Sequence, residues 1–156
     1  MTASVILEVV RAVAILASGI VYGTDAFFSI VGPSALGRAS SRSLTEVMGL
    51  LHETADRRMP FVGATGLITS LACGSLAQTT SGKILGATAA LLQIAYLALY
   101  ARYSKPINVS LIAATRAGEA RADAHALQRR WDGVVRVRFV LMAASMICLI
   151  FFDRST

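Results

Sequence analysis

The charged residues of this chain are separated by long apolar runs. Only one charge, Asp25, falls between Arg11 and Arg38. Three further runs contain no charge at all, and they lie between residues 58 and 83, 83 and 102, and 138 and 153. A transmembrane helix needs about 20 mostly apolar residues, with a tolerated range of roughly 17–25. Three of the four runs are long enough, and the last becomes so if Arg136 and Arg138 snorkel or face inward.

These runs predict an all-α integral membrane protein. The 156 residues suit a single domain, a four-transmembrane-helix bundle with spans at about 8–32, 61–80, 84–103 and 134–152. A soluble domain of this size would have too much surface for a chain that is 55% hydrophobic and has a mean hydropathy of +0.63. The lipid bilayer is therefore its first expected partner.

The distribution of basic residues predicts the orientation of the spans. Twelve of the 15 lysines and arginines lie in or beside the connections between spans one and two and between spans three and four. The side of the membrane that is richer in Lys and Arg is normally the cytoplasmic side. We therefore expect a multi-pass protein of the cell membrane, with both termini outside and the two long connections in the cytoplasm. The net charge of +6 is explained by this topology, and no nucleic-acid partner is expected.

Each long connection is predicted to contain a helix. Pro33 and Pro106 should end spans one and three, because proline interrupts helices. The first connecting helix should begin with a capping box, Ser43-Leu-Thr-Glu46, and stop before Pro60. The second should run over about 109–131. The helical spacing of the first predicts a buried face formed by Leu44, Val47, Met48, Leu51 and Ala55.

Small residues mark faces on which helices can pack closely. Gly19 and Gly23 form a GxxxG pattern in the first span, and Gly82 and Gly86 repeat it at the start of the third. Packing within the bundle explains these patterns at least as well as homo-oligomerisation through GxxxG faces.

Asp25 is the polar residue that most needs a partner. It lies eight residues before Pro33, or roughly 12 Å from the cytoplasmic end of its span at 1.5 Å per residue. An ionised carboxylate at that depth is costly unless it is paired, hydrogen-bonded or protonated. Arg136 and Arg138 are the nearest cations at matching depth. A structural Asp–Arg pair and an active-site base are two equally weighted interpretations.

His52 and Asp56 share a helix face through their i,i+4 spacing. The carboxylate could fix the imidazole tautomer, or the two groups could supply metal ligands; the alternative is an interfacial histidine with a solvated partner. A haem or metal centre at His52 is limited by ligand supply, because His125 is the only other histidine. Cys73 and Cys148 have no metal-site spacing and are either two packing residues or a disulfide pair. No cofactor and no metal are expected.

Further polar residues occupy the same predicted side. Asn108 follows Pro106 and should N-cap the second connecting helix. Trp131 is typical of an interfacial anchor, and Gln93 of an interhelical hydrogen-bonding group. The candidate site residues Asp25, His52, Asp56, Asn108 and Arg138 come from separate segments, as a site between helices requires.

Two short motifs connect these residues to a known family. "KPIN" contains Pro106, Ile107 and Asn108, and "RRWDGVVRVR" contains Trp131 and Arg138. Together with the Gly-rich first span, they resemble the anthrone-oxygenase-like family of small four-helix membrane proteins, in which Pro-Ile-Asn follows span three and Trp-x-x-x-His-x-x-Arg begins span four. The family histidine corresponds to Val135 in this chain.

The resemblance implies an enzyme that oxidises an apolar phenolic or polyketide-type molecule at the cytoplasmic membrane face, as anthrones are oxidised to anthraquinones, without an organic cofactor. His52 or Asp25 would then be the base, and Arg138 and Asn108 would stabilise the oxyanion. Trp131 would form an aromatic wall, with Asp56 also in the substrate site. The alternative, which Val135 favours, is a non-catalytic membrane subunit or scaffold that binds a partner or lipid through its cytoplasmic helices.

Overall fold

The computed structural model describes residues 3–152, and helices are the regular structure of that part of the chain, which contains no strand. A π-helical turn, Tyr100–Ser104, joins the fourth helix directly to the fifth. The helices are α1 (Ala3–Ile30), α2 (Gly32–Leu36), α3 (Ser41–Leu76), α4 (Thr80–Leu99), α5 (Lys105–Arg116) and α6 (Ala124–Ile150). The predicted all-α class is confirmed. The two termini, predicted to be outside the cell, fall outside the described residues.

Four helical stretches are long and apolar enough to cross a membrane. They are Ser4–Ile30, Ser41–Leu76, Thr80–Arg116 and Ala124–Ile150. Only 17–28% of the most apolar window of each stretch is buried within the protein. Large apolar side chains such as Leu16 and Phe61 are exposed, whereas Ser70, Gln93 and other polar side chains are buried. Apolar side chains outside and polar side chains inside are typical of a multi-pass membrane protein.

One of the three predicted proline stops is confirmed, since α1 ends at Ile30, shortly before Pro33, and the other two are wrong. α3 continues through Pro60, and the π-helical turn and α5 continue through Pro106. Proline in a helix removes one hydrogen bond and crowds the carbonyl four residues earlier, which neighbouring groups and local π turns can accommodate. Here Lys105 N–H donates to the Tyr100 carbonyl, the i→i+5 bond of a π turn, immediately before Pro106. The predicted connecting helices are therefore continuations of the spanning helices.

The predicted start of the first connecting helix is also displaced. α3 begins at Ser41, and Ser40 Oγ accepts a hydrogen bond from the backbone N–H of Ser43, 3.1 Å away. Ser40 is therefore the N-cap, and the predicted capping box starting at Ser43 is wrong.

The predicted helix over 109–131 is interrupted. α5 ends at Arg116, and Gly118 adopts a φ of 69°, a left-handed conformation that suits glycine. Gly118 N–H donates to the Thr115 carbonyl and Glu119 N–H to the Ala114 carbonyl, the hydrogen bonds of a Schellman motif. Trp131 therefore belongs to α6, the fourth spanning helix.

The chain forms two compact units, which we call unit 1 (3–23, 60–96 and 140–152 of the described residues) and unit 2 (24–59 and 97–139). In unit 1, Gln93 Nε2 lies 2.9–3.2 Å from the hydroxyl oxygens of Ser18, Ser70 and Ser145. The predicted interhelical role of Gln93 is confirmed. Cys73 and Cys148 are both free thiols.

Unit 2 has its own apolar cluster. Its buried members are Leu44, Met48, Ile107, Leu111, Ala124, Trp131 and Val135. The buried face predicted for residues 44–55 is partly wrong, because Val47 and Leu51 are 48% and 45% exposed while His52 is 4% exposed. The helix is thus rotated so that a polar side chain, rather than these two apolar ones, is inside, as expected where lipid surrounds the protein.

Candidate active site

All six predicted site residues lie in unit 2, on four different helices. They are Asp25 on α1, His52 and Asp56 on α3, Asn108 on α5, and Trp131 and Arg138 on α6. The four helices are far apart in the sequence, so only the tertiary structure brings these residues together.

Asp25 and Arg138 form a buried ion pair. Arg138 Nη2 donates to Asp25 Oδ1 at 2.8 Å, and the two side chains are only 7% and 2% exposed. Arg138 Nη1 donates to Ser104 Oγ at 2.9 Å, and its guanidinium lies 5.7 Å from the centre of the Tyr100 ring. Asp25 Oδ2 is buried and has no hydrogen-bond donor among the described residues. The predicted pairing of Asp25 is confirmed, with Arg138 as the partner rather than Arg136.

Asp56 of α3 forms hydrogen bonds with one side chain of the π-helical turn and one of α5. Its Oδ1 accepts hydrogen bonds from Tyr100 Oη at 2.8 Å and from Asn108 Nδ2 at 3.0 Å. Asn108 is buried inside α5 and does not cap it, so the predicted N-cap is wrong. The π turn and α5 thus place Tyr100 and Asn108 against Asp56, and Ser104 against Arg138.

Trp131 is buried between Asn108, Phe28 and His52. Its indole Nε1 donates to Asn108 Oδ1 at 3.1 Å, and the Phe28 ring packs edge-on against it at a centroid distance of 5.3 Å. The side chain is only 5% exposed, so the predicted interfacial anchor is wrong. A buried tryptophan needs a hydrogen-bond acceptor for its N–H and apolar contacts for its ring, and Trp131 has both.

His52 packs against Trp131, with ring centroids 5.1 Å apart. Its Nε2 is buried and has no hydrogen-bond partner in the part of the chain that the structure describes. Of the alternatives left open for this pair, the hydrogen-bonded dyad is not formed, and an interfacial histidine does not fit a side chain that is only 4% exposed. Asp56 Oδ1 accepts from Tyr100 and Asn108 instead. α3 therefore packs against the start of α6 and places an imidazole beside the tryptophan.

Val135 is fully buried in the apolar cluster of unit 2, one turn of α6 after Trp131. The position that the resemblance assigns to a histidine is thus occupied by a packing residue. His52 supplies an imidazole to the same neighbourhood from a different helix.

A continuous series of contacts connects the predicted residues. It runs from Asp25 through Arg138, Tyr100, Asp56, Asn108 and Trp131 to His52. Tyr100 and Ser104 were missed by the sequence reasoning because it ended the helix at Pro106. The signal was their spacing, since they precede Asn108 by eight and four residues and so repeat on one helix face.

The series contains an imidazole nitrogen without a hydrogen bond, a guanidinium held by two side chains, and two aromatic rings. The imidazole nitrogen is therefore available to hydrogen-bond a bound molecule, and the guanidinium is held in place by Asp25 and Ser104. No group of three or more His, Cys, Asp or Glu residues suited to a metal ion occurs within residues 3–152. Comparison with known proteins gives no relative, since no protein-family model, curated protein or solved structure matches this chain.

Proposed function

We propose that this chain is a membrane enzyme of the anthrone-oxygenase type, which oxidises a flat phenolic or polyketide-type molecule with O2. The observation that carries the proposal is His52 Nε2, a buried nitrogen without a hydrogen bond among the described residues, packed against Trp131. Buried polar groups in proteins are nearly always hydrogen-bonded, and a catalytic role is one of the explanations for an exception. A substrate provides the missing interaction.

His52 is the proposed base. It takes a proton from the activated methylene carbon of the substrate, and the aromatic ring system and the carbonyl opposite delocalise the charge as an enolate. Arg138, which follows Asp25 in the series of contacts, stabilises the enolate oxygen. Asn108 Nδ2 has a second hydrogen beyond the one donated to Asp56, and it assists at the oxyanion.

The oxidation then needs O2 as the only co-reactant. The enolate transfers one electron to O2, and the two radicals combine to form a C–O bond. The imidazolium of His52 protonates the peroxide. Removal of the second C–H proton by His52 breaks the O–O bond, forms the C=O group and releases the distal oxygen as water. One oxygen atom enters the product, the other leaves as water, and His52 returns to its neutral state.

Asp25 acts as a positioning residue in this scheme. It holds the Arg138 guanidinium from one side while Ser104 holds it from another. Trp131 offers the aromatic face against which a flat substrate stacks, and Phe28 packs edge-on against Trp131 and holds it in place. His52, Trp131 and Arg138 are all buried, so an apolar substrate arriving from lipid must displace side chains to reach them.

The test is turnover of an anthrone by membranes that contain the full-length protein. His52→Ala should lower the rate by about 100-fold or more, the usual contribution of a general base. Thr54→Ala, an exposed change on the same helix, is the matched control and should leave the rate unchanged. Protein content and thermal unfolding in detergent show that each variant is folded. Unchanged turnover in both His52→Ala and Asp25→Asn would contradict the proposal.

The second candidate is a non-catalytic subunit or scaffold that binds a partner or lipid. Val135 favours it, because it replaces the histidine of the resembled family with a fully buried apolar side chain. In that case the Asp25–Arg138 pair only fixes helix positions. Val135→His distinguishes the two candidates: a gain in turnover supports an oxygenase site at this place, whereas a protein inactive with and without the change supports the scaffold.

A further inference from the structure

Unit 2 contains a cleft that is separate from the residues of the proposed active site. Its volume is about 640 Å³, and its lining includes Pro33 and Gly37 on one side. The other side is one face of α6, since its residues recur every three or four positions. They are His125, Gln128, Arg129, Asp132 and Arg136.

The floor of this cleft is rich in hydrogen-bond acceptors. Gln128 and Asp132 are only 3% and 6% exposed, and Gln128 Nε2 donates to Asp132 Oδ1 at 2.8 Å. Gln128 Oε1 is buried and has no donor among the described residues. Asp132 forms no ion pair with a basic residue among residues 3–152, although Arg136 follows it by one turn. A buried carboxylate that accepts from Gln128 alone, and a buried carbonyl oxygen without a donor among the described residues, suit a ligand that brings both a positive charge and N–H groups.

The rim of the cleft has the opposite character. Arg129 and Arg136 are exposed and flank the cleft one turn of α6 before and one turn after Asp132. Arginine at such a position suits a phosphate oxygen, to which it donates charge-assisted hydrogen bonds. The cleft thus offers a carboxylate and a carbonyl oxygen at its floor and two guanidinium groups at its edge.

We infer that this cleft binds a phosphoethanolamine group, with its ammonium on Gln128 Oε1 and Asp132 and its phosphate on Arg129 and Arg136. At the floor, the single positive charge of the ammonium matches the single negative charge of Asp132. At the rim, the negatively charged phosphate diester lies beside the two positively charged arginines. The cleft lies where the polar start of α6 gives way to its apolar part, which is the level of lipid headgroups if α6 spans the membrane. The headgroup of phosphatidylethanolamine or a soluble phosphoethanolamine ester would present the same chemistry.

Other phospholipid headgroups fit the cleft less well. A choline group has no N–H to donate to Gln128 Oε1, and proteins usually recognise it with aromatic rings. No Trp, Tyr or Phe is among the residues found to line the cleft. A glycerol headgroup carries no positive charge for Asp132. The ammonium with its three N–H donors is therefore the discriminating part of the ligand.

The test is native mass spectrometry of the delipidated full-length protein in detergent, titrated with four phospholipids of identical acyl chains. Their headgroups are ethanolamine, N-methylethanolamine, N,N-dimethylethanolamine and choline. Affinity should fall along this series, with ethanolamine about tenfold tighter than choline, the effect of losing hydrogen bonds to charged and buried groups. Equal affinities across the series would overturn the inference, and this measurement requires no variant.

Variants then locate the site. Asp132→Asn should reduce ethanolamine-lipid binding about tenfold and choline-lipid binding less, because choline keeps its positive charge but donates no hydrogen bond to the carboxylate. Arg129→Gln combined with Arg136→Gln should weaken all four lipids, whereas Arg130→Gln, an exposed neighbour outside the cleft, should weaken none. Ethanolamine preference that survives Asp132→Asn would place the site elsewhere and overturn the inference.

A competition arm distinguishes the two sources of the ligand. Glycerophosphoethanolamine carries the same headgroup without acyl chains. If it displaces the ethanolamine lipid at comparable concentration, the natural ligand is a soluble ester; if it does not, the ligand is the membrane lipid. Either result supports the assigned chemistry.

Discussion

Asp25 and Arg138 form the buried ion pair of unit 2, since the other ion pairs of the described residues are more exposed. Removing one member leaves an unpaired charge in a buried position, so Asp25→Ala should cost about 3–5 kcal/mol of unfolding free energy. Replacing both members with apolar side chains of similar size, as in Asp25→Leu with Arg138→Met, should recover most of that loss. The measurement is unfolding by denaturing detergent in mixed micelles, for the wild type, Asp25→Ala, Asp25→Leu, Arg138→Met and the double variant.

Glu53→Ala is the matched control for that measurement. Glu53 accepts from Arg57 at 3.1 Å and from Arg116 at 2.8 Å, but both arginines are about two-thirds exposed or more. Exposed ion pairs contribute about 0–1 kcal/mol, so this change should be small. Losses at Asp25 and Arg138 that simply add in the double variant would contradict the buried-pair account.

The sequence predicts that Asp25 needs a partner, because a carboxylate in an apolar span is costly by itself. It does not distinguish Arg138 from Arg136, since that choice depends on how α1 and α6 are rotated in unit 2. The hydrogen bonds of Asp56 could not be predicted for a similar reason. One of their two donors, Tyr100, is oriented by a π turn, which local sequence does not specify.

At the level of helices, close packing in unit 1 depends on Gly74 of α3 and Gly86 of α4. A Cβ added to Gly86 would lie 2.5 Å from the backbone of Gly74. Gly86→Ala should therefore force the two helices apart and cost about 1–3 kcal/mol. The measurement is again unfolding in mixed micelles.

Gly63→Ala in α3 is the control for the helix contact. A Cβ at Gly63 would have no atom within 4 Å among the neighbours considered, and alanine favours helix over glycine by about 1 kcal/mol. This variant should be neutral or slightly stabilised. A similar loss in Gly63→Ala and Gly86→Ala would mean that helix contact is not the cause.

Helix ends show what the local sequence can and cannot predict. The apolar runs identify the four long helices because lipid requires a minimum apolar length. Proline at positions 60 and 106 suggested helix ends, yet the helices continue through both, since a single lost hydrogen bond is small beside the packing of a long helix. Gly118, whose left-handed φ terminates α5, was the effective signal.

At the level of the whole molecule, the distribution of charge predicts which loops face the cytoplasm. The exposed positions Gln78, between α3 and α4, and Ala120, between α5 and α6, should lie on opposite sides of the membrane. Single cysteines at these positions, in a background with Cys73→Ser and Cys148→Ser, report their accessibility. Because the basic residues are concentrated beside the second loop, Ala120 should be cytoplasmic.

The expected result is labelling of Gln78→Cys in intact cells by a maleimide that does not cross membranes. Ala120→Cys should react only after permeabilisation. The reverse pattern would invert the topology and place the cleft beside α6, with its two rim arginines, outside the cell. Labelling of both positions in intact cells would mean that the helices between them do not cross the membrane, and the apolar surface of α4 would then have to be covered by protein rather than lipid.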